Sequence, residues 1–263
     1  MNVSNHMSRY RLKQLKQFTP FLWTEPEKKA TNLWWMFRLA VVEFNKNCAG
    51  TVCLSVYKTL DEIMSAYWPQ TTQYGDLPHL SFIARKPEPL GTEFKAAADC
   101  KTGALIWLEL QEVKMLMRAA NYLAQHAVTA KCTIRAAEAT KQHKGGGATD
   151  PNQVVFGDSW FSSVEAVCQL CVRSKLYYTG IVKTNHACFP KKSLEKTMKD
   201  WPPGSYLVLE GHATLEGVKI VAIRYRYNSR KRIFFICYAN TGATECTDYY
   251  KAKWKDQYGN TQQ

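Results

Sequence analysis

Two aspartates, Asp61 and Asp158, each follow a short apolar stretch with strand-forming residues, although they lie far apart in the chain. Functional side chains in α/β sheets collect at the carboxyl ends of strands. Two carboxylates that meet there can bind Mg²⁺ through oxygen ligands, and a pair of such ions can drive phosphodiester transfer. Alternatively, Asp158 caps the following helix and Asp61 begins a turn, as strand-end aspartates often do. Spacing alone favours this second interpretation.

A second candidate group is a cluster of basic residues around a predicted hairpin, with Tyr225 and Tyr227 between them: Arg224, Arg226, Arg230, Lys231 and Arg232. These side chains could hold a DNA backbone through phosphate contacts and counterion release. The alternation of residues 221–227 predicts that Arg224 and Arg226 lie on a wet face of their strand. A solvated basic face without a ligand explains the pattern equally well. A further lysine cluster allows the same two interpretations: Lys183, Lys191, Lys192, Lys196 and Lys199.

Cysteine and histidine spacing suggests zinc only superficially. Cys168 and Cys171, followed by His186 and Cys188, supply four ligands by count. However, both cysteines fall within a predicted helix with apolar neighbours, so buried thiols are the better interpretation, and no zinc is expected. The nine cysteines are scattered and odd in number, which predicts free thiols rather than disulfides.

The elements that must position these groups follow from hydrophobic periodicity and turn residues. A helix is predicted over 33–47, strands over 51–59, 93–100 and 104–111, and a long helix over 114–140. A Gly-rich linker over 143–150 leads to a strand, a helix and a strand over 154–156, 160–174 and 177–183. Three more strands are predicted over 206–210, 219–227 and 232–239. The pattern predicts a mixed α/β sheet.

The composition and net charge restrict the class of molecule that this protein is expected to bind. The 263 residues include 46% hydrophobic and 22% charged residues, which is typical of a globular protein and excludes a disordered tail. The net charge of +13 favours a polyanionic partner, either nucleic acid or an anionic membrane face. No run approaches the roughly 18 apolar residues that span a bilayer, and the first twenty residues lack a secretory core. We therefore expect a soluble, intracellular protein with no membrane partner.

Three stretches of the chain carry a family resemblance. The first acid lies in Leu60-Asp61-Glu62-Ile63-Met64, of the form Asp-Glu-x-Met, and the second lies in Asp158-Ser159-Trp160-Phe161-Ser162-Ser163. Residues 77–95 between them contain a Lys-Pro pair and phenylalanines. In motif form, order and spacing these stretches resemble the catalytic domain of piggyBac-type transposases. The resemblance runs from about Trp34 to Asn260.

The resemblance implies a ribonuclease H-like fold, with a mixed sheet, flanking helices and a β-rich insertion. It divides the chain into a basic N-terminal arm over 1–32 and a transposase-like domain over 33–263. Within that domain, the core spans about 51–184 and the insertion about 185–245, and the C-terminal end is expected to be truncated. Such transposases are Asp-Asp-Asp (DDE-type) enzymes that hold Mg²⁺ or Mn²⁺ with three acids and cut DNA at transposon ends. Asp61 and Asp158 correspond to the first two acids.

The third acid has no counterpart, since Asp248 and Asp256 lack the expected context. The sequence therefore predicts a transposable element-derived protein that is inactive alone. The alternative is a domesticated DNA- or chromatin-binding module without catalysis. Either interpretation implies a DNA partner, with specific transposon ends or without sequence preference, and a nuclear location. A homodimer, or a complex with a full-length relative, is also implied.

Overall fold

The computed structural model describes residues 34–66, 80–111, 126–143, 153–183, 188–213 and 217–238, together with Ser8, His186, 254–255 and 261–262. The helices are α1 (Trp35–Thr51), α2 (Val128–Lys141), α3 (Val164–Gln169), which continues as a π-helical turn (Leu170–Ser174), and α4 (Lys191–Thr197). The strands are β1 (Tyr57–Ala66), β2 (Ser81–Phe82), β3 (Leu90–Asp99), β4 (Leu105–Leu110), β5 (Val154–Gly157), β6 (Tyr177–Ile181), β7 (Tyr206–Ala213), β8 (Val218–Arg226) and β9 (Arg232–Tyr238), with a separate pair β10 (Trp254–Lys255) and β11 (Thr261–Gln262). Apart from Ser8, the predicted basic arm lies outside the described residues, as does most of the predicted linker.

Nine of the described strands form one mixed sheet in the order β2-β3-β1-β5-β6-β9-β8-β7, with β4 also paired to β3. Strands β1, β5 and β6 are parallel, whereas β1–β3, β6–β9, β8–β9 and β7–β8 are antiparallel. The mixed α/β sheet and the strand-helix-strand step predicted from the sequence are therefore confirmed.

Helices α2 and α3 contribute to the main core, which also holds one face of the central strands. Ile134 and Ala137 of α2 and Val167 of α3 are completely buried there. On β1, alternation buries Lys58, Leu60 and Glu62, whereas Asp61 is exposed on the opposite face. The sheet thus separates the packed helices from the face that carries Asp61.

Three of the predicted elements are placed differently. Helix α1 extends to Thr51 and β1 begins at Tyr57, so the strand predicted over 51–59 is confirmed only for residues 57–59, and Asp61 lies inside a strand. Ala127 has an extended conformation, so the described part of the predicted long helix begins at Val128. Residues 112–125 lie outside the described part. The third predicted helix begins at Val164, after a turn over 159–161.

The region predicted as a β-rich insertion continues the same sheet. Strand β9 pairs with β6 through Thr179 with Cys237, Gly180 with Ile236, and Ile181 with Phe235. Strands β8 and β7 follow outward. Among the described residues, no helix has the length and apolar character needed to cross a membrane.

Candidate metal and nucleic-acid site

The sheet brings the two predicted acids together. Parallel strands β1 and β5 pair Tyr57 with Val154 and continue in register to Leu60 with Gly157. The next residues along that register are Asp61 and Asp158. Adjacent strands lie about 4.8 Å apart, and alternation directs both side chains away from the face covered by α2 and α3. Two carboxylates that are distant in sequence therefore become neighbours on one sheet face.

One oxygen of each carboxylate is held by a backbone amide. Glu62 N donates to Asp61 Oδ1 at 2.7 Å, and Trp160 N donates to Asp158 Oδ1 at 2.8 Å. The cap of α3 is Ser163, whose Oγ accepts from Ala166 N at 3.0 Å. Neither alternative role from the sequence is therefore found, because Asp158 opens the turn over 159–161 ahead of the helix and Asp61 lies within a strand.

Two buried polar residues, Tyr178 and Ser162, hold the turn that follows Asp158 through hydrogen bonds. Tyr178 Oη lies 2.9 Å from Ser162 Oγ, and Ser162 Oγ donates to the Asp158 carbonyl oxygen at 2.7 Å. Burial raises the pKa of Tyr178, and the nearby Asp158 charge raises it further. These two effects outweigh the hydrogen bond with Ser162, which lowers the pKa. The phenol therefore keeps its proton and remains a donor. Neither residue is identified as functional from the sequence, although Ser162 lies within the motif that begins at Asp158.

The donor set of the acid pair fits a hard divalent cation. Within the described part of the chain, the second oxygen of each carboxylate has no hydrogen-bond partner. Carboxylate oxygens are the ligands that Mg²⁺ and Mn²⁺ prefer. No three His, Cys, Asp or Glu side chains in the described ranges form a metal-binding group. Asp248 and Asp256 lie outside those ranges, so two carboxylates, those of Asp61 and Asp158, are found together within the described residues.

The basic residues predicted to contact DNA divide into two groups. Arg224 is 2% exposed, and its Nη1 donates to the carbonyls of Leu194 at 2.9 Å and Glu195 at 3.2 Å. The prediction that Arg224 lies on a wet face is wrong, because its guanidinium satisfies carbonyls near the end of α4. Arg226 is half-buried and donates to the carbonyl of Trp201.

The other predicted basic residues, Arg230, Lys231 and Arg232, are exposed. Lys231 and Arg232 line an open groove of about 510 Å³ together with Lys183 and Ser159. Ser159 immediately follows Asp158 in the chain. Three cationic side chains therefore lie along a groove whose wall includes the residue after Asp158, a suitable arrangement for a phosphate backbone.

Three of the four residues counted as zinc ligands line a second cavity, of about 800 Å³, between α3 and strands β7 to β9. Cys168, His186 and Cys188 contribute to its wall, whereas Cys171 does not. His126 also lines it, with Nδ1 2.5 Å from Glu165 Oε1. The described cysteines form no disulfides with one another. The larger of these two cavities thus lies in a mainly apolar interface between helix α3 and the outer strands.

The family of the chain is decided by a sequence comparison. The family model described as transposase IS4 matches residues 1–261. The chain belongs to the IS4 transposase family. Members of the DDE-type transposase group generally use a divalent metal ion. Among curated proteins, no sequence matches the chain.

The fold of this IS4-family transposase chain is shared with a solved structure, the piggyBac transposase in its synaptic complex with hairpin DNA. The TM-score is 0.65 at 16% sequence identity, and the match covers 95% of this chain. The prediction of a piggyBac-type, ribonuclease H-like α/β fold is therefore confirmed. The chain spans about half the length of that protein, since 47% of the piggyBac chain is covered.

Proposed function

We propose that this IS4-family transposase chain binds DNA and that Asp61 and Asp158 ligate a divalent cation beside it. The observation that carries the proposal is the register of β1 and β5, which makes the two acids neighbours. When bound, Mg²⁺ or Mn²⁺ supplies the Lewis acidity that phosphodiester transfer requires. Asp61 and Asp158 orient that charge, and the groove cations hold the phosphates.

The proposal includes a limit on activity. Two carboxylates supply less negative charge than a two-metal site uses, so we expect the chain to bind metal weakly and not to cut DNA alone. A nicking assay on a supercoiled plasmid with Mn²⁺ tests this expectation. Strand cleavage by wild type that is lost in Asp61→Asn would contradict it and would establish an active site.

The metal part is tested by electron paramagnetic resonance titration of Mn²⁺ with the purified chain. Wild type is expected to bind one ion, and both Asp61→Asn and Asp158→Asn to bind at least tenfold more weakly. Asp200→Asn is the matched control, because Asp200 lies in an exposed turn after α4. Equal binding by wild type and both variants would show that the acid pair is not the site.

The DNA part is tested by fluorescence anisotropy over a salt series. Replacing Lys183, Lys231 and Arg232 by Gln is expected to reduce the slope of log K against log salt by about one per lost phosphate contact. Replacing the exposed residues Lys192, Lys196 and Lys199 by Gln removes the same charge from the second lysine cluster. A slope equal to that of wild type in the Lys183, Lys231 and Arg232 variant would exclude the groove as the DNA path.

The second candidate function is a non-catalytic DNA- or chromatin-binding module. It is favoured by the small number of converging acids, two within the described residues. Salt-dependent DNA binding by a chain that binds no Mn²⁺ would select it over the first. In either case we propose a nuclear location, which microscopy of a tagged chain tests, and a dimer, which light scattering tests.

A further inference from the structure

A buried lysine on β3 lies where the two acid motifs meet. Lys95 is 1% exposed, and its Nζ lies 2.9 Å from Glu62 Oε1 and 2.5 Å from Glu93 Oε1. The same ammonium lies 3.5 Å from the centre of the Trp160 ring. Lys95 therefore contacts one residue of each acid motif: Glu62, directly after Asp61, and Trp160, two residues after Asp158.

The same two residues orient the acids through their backbone. Glu62 N donates to Asp61 Oδ1 and Trp160 N donates to Asp158 Oδ1, at 2.7 Å and 2.8 Å. Lys95 contacts the side chains of Glu62 and Trp160 on the face of the sheet that the helices cover. The backbone amides of the same two residues orient the Asp61 and Asp158 carboxylates on the opposite face. We propose that Lys95 is a positioning residue that fixes the Asp61 and Asp158 carboxylates relative to each other; this rests on the proposed function of the acid pair.

The charged groups around Lys95 pair with one another in a single arrangement. Arg85 Nη2 reaches Glu62 Oε2 at 3.0 Å from the exposed side, and Lys86 Nζ donates to the Glu62 carbonyl oxygen at 2.9 Å. The carboxylates of Glu62 and Glu93 thereby contact the buried Lys95 ammonium, and that of Glu62 also contacts the exposed Arg85 guanidinium. Buried ion pairs add little net stability compared with apolar residues of similar volume, whereas they require one arrangement of their partners. The Lys95 cluster is therefore suited to fix geometry.

The aromatic contact distinguishes Lys95 from an ordinary structural cation. An ammonium over an indole face is attracted by the ring quadrupole, and the attraction increases when water is excluded. Trp160 also packs edge-on against Phe161, with ring centres 4.8 Å apart. The indole is consequently held from two sides, and its backbone N–H is directed at Asp158.

The test compares Mn²⁺ affinity with stability in a neutral version of the cluster. The triple variant Lys95→Met, Glu62→Gln, Glu93→Gln removes all three charges without leaving one buried and unpaired. We expect a melting temperature close to that of wild type and Mn²⁺ binding that is 10 to 100 times weaker, the usual effect of losing support behind a metal ligand. Wild-type affinity in the folded triple variant would overturn the proposal.

A control ion pair comes from β7 and β8, which are not neighbours of β1 or β5 in the sheet. Lys219 Nζ lies 2.7 Å from Glu210 Oε2. The double variant Lys219→Met, Glu210→Gln is expected to retain wild-type Mn²⁺ affinity. If the Lys95 triple variant does not fold, Trp160→Leu replaces it, since this change removes the ring and keeps the backbone amide. Unchanged Mn²⁺ affinity in Trp160→Leu would also overturn the proposal.

A second measurement separates this proposal from the proposed function. Amide hydrogen exchange of Trp160, followed by NMR without metal, reports directly on the turn that holds Asp158. We expect exchange to be at least tenfold faster in the triple variant. If wild type binds no Mn²⁺ but the exchange accelerates, the proposed function fails and the positioning role stands. If exchange is unchanged, the positioning role fails whether or not the chain binds metal.

Discussion

Asp99 ends β3 with a completely buried carboxylate that accepts four hydrogen bonds. Ser55 donates through N at 2.7 Å and Oγ at 2.5 Å, and Thr102 donates through N at 2.9 Å and Oγ1 at 2.8 Å. Burial alone would raise the pKa of Asp99, but these hydrogen bonds outweigh it and lower the pKa to about 2. The carboxylate therefore ties the entry of β1 to the β3–β4 turn.

Asp99→Asn is expected to destabilise the fold in a pH-dependent way. Because the folded pKa lies below the ordinary 3.8, the contribution is fully present above about pH 4 and is lost as the pH falls toward 2. The two pKa values correspond to about 2 kcal/mol at pH 7. Urea unfolding at pH 7 and pH 2.5 measures this, with Asp200→Asn as control. A destabilisation that is equal at both pH values would contradict the assignment.

Arg224 and Arg232 should behave differently although both belong to the same predicted basic cluster. Arg224→Met removes the donor to the Leu194 and Glu195 carbonyls, so we expect a loss of about 1–3 kcal/mol. DNA affinity should not change. Arg232→Gln, at an exposed groove position, should weaken DNA binding and leave the melting temperature within a degree or two. Weaker DNA binding by a folded Arg224→Met chain would reverse this assignment.

The sequence predicts the surroundings of a single residue only where neighbouring residues in the chain determine them. The apolar run Val154-Val155-Phe156 predicts a strand that ends just before Asp158, and β5 ends at Gly157. The burial of Arg224 depends on carbonyls some thirty residues earlier in the chain, which alternation within β8 does not reveal. Lys95 likewise has no local signal of burial, because its partners include Glu62 and Trp160 from other elements.

The boundaries of strand β1 depend on its partner strand. The β-branched and aromatic residues over 51–59 predict a strand that ends at Thr59, just before Asp61. The observed strand continues to Ala66 because Lys58 through Ala66 pair with β3. That partner lies about thirty residues downstream, so the strand boundary is determined by long-range pairing. The proximity of Asp61 and Asp158 was nevertheless anticipated from the motifs and their resemblance.

Gly180 on β6 leaves the space that the Asp158 turn requires. A Cβ at this position would overlap Ser162 Oγ and lie 2.8 Å from the Gly157 carbonyl oxygen. Gly180→Ala is therefore expected to cost about 1–3 kcal/mol, as overpacking usually does, and to weaken Mn²⁺ binding. Gly211→Ala on β7 is the control, since a Cβ there would contact nothing within 4 Å. Equal stability of the two variants, measured by urea unfolding, would show that β6 can shift without consequence.

The continuous sheet links the acid-bearing strands to the outer strands. The family resemblance implied a core and an insertion as separate regions, with a boundary near residue 185. In the folded chain β9 pairs directly with β6, and one hydrophobic cluster includes Leu60 of β1, Tyr178 of β6 and Ile236 of β9. Arg224 adds a contact between β8 and α4. These shared contacts give the two regions a common core.

The chain should therefore unfold as one cooperative unit. A common core predicts that the slowest-exchanging amides of β1 and β8 share one opening free energy, within about 1 kcal/mol. Native-state hydrogen exchange in increasing urea measures both, and the short strand β2 gives an internal reference that should open locally at lower free energy. If β8 opens at least 2 kcal/mol below β1, strands β7 to β9 form an independent unit. In that case the groove lined by Lys231 and Arg232 could be lost while the Asp61 and Asp158 pair remains folded, and DNA binding would lose its structural connection to the metal site.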